Sequence, residues 1–168
     1  MKKQELEQEV LGLLKSQQQG MLSTYAAEDS EDKAAGYPFG SMVRFVICQS
    51  EEHGGSPLVM LSRIAEHSKH IAQQSNVSLL VSASDAARDD GDMQQVARLT
   101  LLGEMTRLHA DDPELQADAE VYFQQFPETR EYFQLLDFDF YRLNIVKGRY
   151  IGGFARAHWL SGDLFNIR

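Results

Sequence analysis

The sequence predicts a mainly β domain of the α+β class, an antiparallel barrel with helical plugs. Strand-like runs outnumber helical ones along the chain. Most are joined directly to the next, with one helix between two of them and further helices before the last hairpin. Gly103 sits in the middle of the longest strand candidate, where a barrel strand needs a bulge or a bend.

The elements follow from local pattern. Leu6, Val10, Leu13 and Leu14 recur at helical spacing and predict an amphipathic helix over 3–18, ended by Gly20. Met21 to Tyr25 reads as a short strand. Ala26 to Gly40 is polar and turn-rich, with Gly36, Pro38 and Gly40, and reads as a loop. Met42 to Ile47 is β-branched and aromatic, hence a strand, and Pro57 to Leu61 returns from a hairpin connection over 49–56.

Ile64, Ser68, Ile71 and Ala72 share a helical stripe, with Ser62 as its N-cap. Val77 to Ala83 is a strand, Ser84 to Met93 an acidic loop, and Val96 to Leu108 a long strand whose apolar parity carries Leu99, Leu101, Gly103 and Met105. Asp112 caps a helix that has Pro113 at its first position and Leu115, Ala119, Tyr122, Phe123 and Phe126 on one face. Pro127 starts a short helix to about Leu135. A final hairpin is expected from Phe138 to Val146 and from Tyr150 to Phe154, turning at Lys147-Gly148, with Trp159 and Phe165 closing the chain.

The whole composition narrows the function. The 168 residues suit one domain, 1–168, and 43% hydrophobic content supports a core. No apolar run reaches the ~20 residues of a membrane span. The N-terminus reads as a helix start rather than a signal peptide, and the single cysteine, Cys48, sits in an apolar run. Together these predict a cytoplasmic location and a buried, unreactive thiol. The net charge of -9 carries no basic stripe, which argues against nucleic acid.

A few local cations suffice for a small anion. They occur where the strand ending at Leu61-Ser62 enters the next helix, beside Arg63, His67, Lys69 and His70. A capped helix start offers free N–H groups, and Ser68 on the buried stripe needs a partner that a bound phosphate would supply. The same residues equally describe a plain helix cap with a histidine at the edge of the core. His67 and His70 at i, i+3 lack a third protein ligand in any recognisable motif, so no metal is expected. Arg98 opens a strand on the polar parity, facing either solvent or a ligand.

Seven runs add a family resemblance. They are Gly20-Met-Leu-Ser-Thr24, Tyr37-Pro-Phe-Gly-Ser41, Leu61-Ser62-x-Ile64-Ala65-x-His67-Ser68, Asn76-Val-Ser-Leu-Leu80, Arg98-Leu-Thr-Leu-Leu-Gly103, Asp139-Phe-Tyr-Arg-Leu143 and Gly152-Gly-Phe-Ala-x-Ala157. In this order and spacing, over 20–163, the chain resembles the pyridoxamine 5′-phosphate oxidase-like split barrels, in the branch that contains the haem-utilisation proteins.

The resemblance implies a six-stranded split barrel, a homodimer, and flavin mononucleotide (FMN) at the subunit interface serving an oxidoreductase with a small-molecule substrate. It places Ser41, Leu61, Ser62 and His67 on the phosphate and Arg98 at the flavin ring, with Lys69 as a further basic candidate. Ser41 stands where the oxidases carry an arginine and His67 where they carry a lysine, so this site holds less positive charge. The substrate-binding basic residues of the oxidase itself are not matched, so the resemblance does not extend to that activity. It also implies two alternatives: a haem-binding or haem-degrading protein, for which His158 is the last histidine available as iron ligand, and a dimeric barrel without cofactor.

Overall fold

The computed structural model describes residues 3–83, 95–153 and 156–166. Helix α1, Lys3–Ser16, leads into β1, Gln19–Tyr25. Strands β2, Pro38–Ile47, and β3, Pro57–Ser62, form a hairpin. Helix α2, Glu66–Gln73, precedes β4, Asn76–Ser82, and β5, Arg98–Arg107. Helices α3, Pro113–Gln125, and α4, Thr129–Leu135, lead to β6, Phe138–Ile151, and β7, Ala157–Ser161.

All pairings are antiparallel, in the order β3-β2-β1-β4-β5-β6-β7, and β3 also pairs β6. The first six strands therefore close a barrel with β7 appended outside it, so the expected mainly β, six-stranded antiparallel barrel is the fold. No helix among the described residues is long and apolar enough to cross a membrane. The acidic loop expected over 84–93, and Phe154 and Ala155, lie outside the described residues.

Two apolar clusters hold the fold. The first fills the barrel with Leu22, Phe45, Val59, Leu79, Leu99, Leu101 and Leu143, and α1 plugs one end with Val10, Leu13 and Leu14. The second lies outside the barrel, where α3 and α4 cover Val46, Leu58 and Phe140 with Leu115, Tyr122, Phe123 and Phe133. Strand β3 is thus buried on both faces, which is why Pro57 to Leu61 reads as an unbroken apolar run. Strands β1, β4 and β5 alternate strictly between buried and accessible, because no helix covers their outer side.

Several local expectations change. Gly20 does not end α1 but lies within β1. A Cβ there would stand 2.8 Å from Leu80 O and 2.9 Å from Leu79 Cδ1, so close approach by β4 requires the glycine. Strand β2 begins four residues earlier than Met42, because Pro38 to Ser41 pair with Tyr25 to Leu22 and Pro38 can take the strand's first position. Ser62 does not cap α2: Ala65 does, with no side-chain bond. Ile64 accordingly precedes the helix and is 72% exposed rather than on its buried stripe.

The last hairpin turns elsewhere. Strand β6 runs straight through Lys147-Gly148, and its partner is β7, so the reversal lies after Ile151. Gly148 pairs with Leu101 and Leu160, and a Cβ on it would press 3.2 Å from the Phe165 ring. Its glycine serves packing, not a turn. The irregularity foreseen at Gly103 is real: the register shifts there, leaving Val146 of β6 as the extra residue.

Candidate functional site

The junction between β3 and α2 is a short turn. Ser62 O accepts from Ala65 N at 3.2 Å and from Ser68 Oγ at 2.7 Å. Ser68 therefore finds its partner inside the chain and needs no anion. The basic residues around it disperse. Arg63 pairs with Asp137 at 3.2 Å and Asp139 at 3.5 Å, Lys69 with Glu66 at 3.0 Å, and His70 is buried against Thr24 and Asp32. Leu61 is buried and pairs with Asp139 of β6.

His67 remains aimed at β2, with Nδ1 3.2 Å from Ser41 Oγ. Its Nε2 is buried and makes no hydrogen bond. Burial, helped by His70, holds this imidazole below the usual histidine range, so it is neutral at pH 7. Ser41 and His67 can thus offer hydrogen bonds to an anion, with no charge. Arg98 lies three strand steps from Ser41, across β1 and β4, and three residues along β5 from Leu101, the residue in line with Ser41, so the two stand roughly 17 Å apart along the sheet. Its Nη1 reaches Val96 O at 3.4 Å. One chain alone brings Ser41 and His67 together and leaves Arg98 apart.

The uncovered face of the sheet is a second candidate. Met42, Met21, Leu80, Thr100, Arg149 and Trp159 stand opposite one another in a single outward row across six strands. Trp159 is 62% exposed. The Arg149 guanidinium lies 5.2 Å and the Lys147 ammonium 5.8 Å from its ring centre. The bulge at Val146 turns both Val146 and Lys147 outward, onto a cleft of about 450 Å³ lined also by Ser23, Tyr25, Ser78 and Leu102. The row, with Lys147 beside it, combines a flat aromatic, two cations and apolar neighbours, which suits a planar anionic ligand.

This face was missed in the sequence because placing the turn at Lys147-Gly148 separates Arg149 from Trp159. Their adjacency exists only once β6 runs on and β7 folds back. His158 alternates with Trp159 along β7 and so lies on the other side of the strand, close enough to Glu9 of α1 to help hold that carboxyl below its usual range, after Arg156 and Tyr150.

Comparison with known proteins follows the same architecture. The chain is 33% identical over 144 residues to the non-canonical heme oxygenase HOZ, chloroplastic, of Arabidopsis thaliana, covering 86% of this chain and 39% of that protein. It superposes on a heme binding protein from Mycobacterium smegmatis with a TM-score of 0.76 and 25% identity, covering 95% of this chain and 59% of that one. It also superposes, at TM-score 0.68 and 14% identity, on a protein of the pyridoxinephosphate oxidase family from Clostridium acetobutylicum related to general stress protein 26, covering 98% and 99% of the two chains. The chain thus spans well under two thirds of the length of the first two relatives. The sequence matches the family described as CREG, beta-barrel over residues 11–166, nearly its whole length, and the chain belongs to that family.

Proposed function

We propose that this protein binds haem on the uncovered face of its sheet, around Trp159, as a homodimer whose second copy covers the Met21, Met42 and Leu80 end of the row. The observation that carries the reading is the set of Trp159, Arg149 and Lys147 beside the cleft. The ring gives a stacking surface, and the two cations match the carboxylates of a planar dianion. Haem-binding relatives on the same scaffold support the choice of ligand. Haem would supply the iron, and this chain's residues would hold and orient the macrocycle. His158 does not fit as the iron ligand, because it stands on the opposite side of β7 from Trp159.

A hemin titration followed at the Soret band tests this. Saturable binding is expected, weakened at least tenfold, about 1.4 kcal/mol, by Trp159→Ala or by Arg149→Glu with Lys147→Glu, and unchanged by His158→Ala. An unsaturable spectrum, or full affinity in the Trp159 and Arg149 variants, refutes the proposal.

Ser41 and His67 favour a second reading, an FMN-dependent oxidoreductase. His67 Nε2 is a buried polar atom without a partner, as a phosphate site would leave it. Without a charge there, affinity would be weak, and His67→Lys is expected to tighten FMN binding about tenfold by adding a charged hydrogen bond. Unquenched FMN fluorescence with both proteins removes this reading.

A further inference from the structure

His70 of α2 is wholly buried. Its Nδ1 lies 2.9 Å from Thr24 Oγ1 of β1, and Phe39 of β2 packs against the ring edge-on at 5.4 Å. Its Nε2 approaches Asp32 Oδ2 to 3.1 Å, yet that nitrogen makes no hydrogen bond of acceptable geometry. Glu66 sits one helical turn before His70 on the same face, and one oxygen of its carboxylate, one of the Asp32 carboxylate and a ring nitrogen of His70 all lie within 4.8 Å of one another. Two carboxylates and an imidazole nitrogen thus converge.

We propose that Asp32, Glu66 and His70 bind a divalent transition cation of the zinc or manganese class. Ligands held about 2.0–2.2 Å from one ion stand about 3.0–3.5 Å from each other, which is the separation of Nε2 and Oδ2. The supporting contacts suit a ligand role. Thr24 Oγ1 can accept the Nδ1 proton while its own hydroxyl reaches Phe39 O at 3.5 Å, and that order leaves a lone pair on Nε2. Asp32 Oδ1 accepts from Ala34 N at 2.7 Å, which turns Oδ2 toward the ring.

Imidazole with two carboxylates suits zinc or manganese and leaves positions open to water on the exposed Glu66 side. Lys69, 3.0 Å from Glu66 Oε1, is the competing cation. The site was absent from the sequence reading because Asp32 lies in a loop with no motif spacing to α2, and His67, the partner that spacing suggests, points to Ser41 instead.

Calorimetric titration of the EDTA-treated, dialysed protein with zinc chloride or manganese chloride tests the site. One saturable site per chain is expected. Glu66→Gln and Asp32→Asn are each expected to weaken it at least tenfold, and Lys69→Met to tighten it. Glu52→Gln, in the separate Glu52, His53 and Glu114 cluster, should leave it unchanged. Thermal melts confirm that each variant is folded. Absence of saturable uptake by the folded wild type, wild-type affinity in both carboxylate variants, or an unchanged affinity in Lys69→Met overturns the proposal. Loss of binding in Glu52→Gln alone would move it to the other cluster and equally overturn it.

Discussion

Replacing Asp118 with alanine is expected to be among the most damaging single changes outside the barrel interior. Asp118 of α3 is wholly buried. Its Oδ1 accepts from Gln49 N at 2.9 Å and Ser50 N at 3.3 Å, and its Oδ2 accepts from Ser50 Oγ at 3.1 Å. Arg142 of β6, 4% exposed, brings Nη2 to 3.7 Å from Oδ2, an ion pair just beyond hydrogen-bond reach.

One carboxylate thus pins the β2–β3 connection to α3 and balances a buried guanidinium. Removing one member of a buried ion pair costs about 3–5 kcal/mol, because the other charge is left without compensation. For a chain of this length each kcal/mol lowers Tm by about 2–4 °C, so Asp118→Ala is expected to melt about 6–20 °C below wild type.

Differential scanning calorimetry of a double-mutant cycle measures it. Against Asp118→Leu alone, adding Arg142→Met should recover the ion-pair share of the loss, since apolar replacement of a buried pair is close to neutral, while Gln49 N and Ser50 N still lack their acceptor. A loss under ~1 kcal/mol for Asp118→Ala, or a double variant as unstable as the sum of the singles, would refute the reasoning.

Two further outcomes are expected. The Cys48 thiol is pushed up to about 12, first by burial and then by Asp118. At pH 8 it is almost wholly protonated in the folded state, and alkylation with iodoacetamide should run about a thousandfold slower than in the unfolded chain; equal rates would contradict that burial. A Cβ at Gly103 would stand 2.1 Å from Asn144 O, so Gly103→Ala must shift backbone at the bulge. It is expected to cost about 1–3 kcal/mol or more and, by disturbing Val146 and Lys147, to weaken hemin binding as well. Gly12→Ala, in α1 with nothing within 4 Å of the added methyl, serves as the control and should gain up to about 1 kcal/mol.

Much of the architecture is legible in local chemistry. The spacing of Leu6, Val10, Leu13 and Leu14 specifies α1, and the last three are its buried residues. Asp112 caps α3 through Glu114 N with Pro113 behind it, as its residue types require. The parity of Leu99, Leu101 and Met105 orients β5, and Gly103 marks where its ladder slips. These features depend on residues within a turn or a strand of one another, so one sequence contains them.

What the sequence by itself determined is therefore the class of fold, the order of its elements and the chain's family pattern. Tertiary structure alone decided which polar groups meet. Arg63 reads as part of an anion site until Asp137, just before β6, and Asp139, within it, take it up. Asp32 meets His70, and Arg149 meets Trp159, only after the barrel closes and β7 folds back. Side-chain charge is local in sequence, but its partner is chosen by packing over long separations, and no periodicity records that choice.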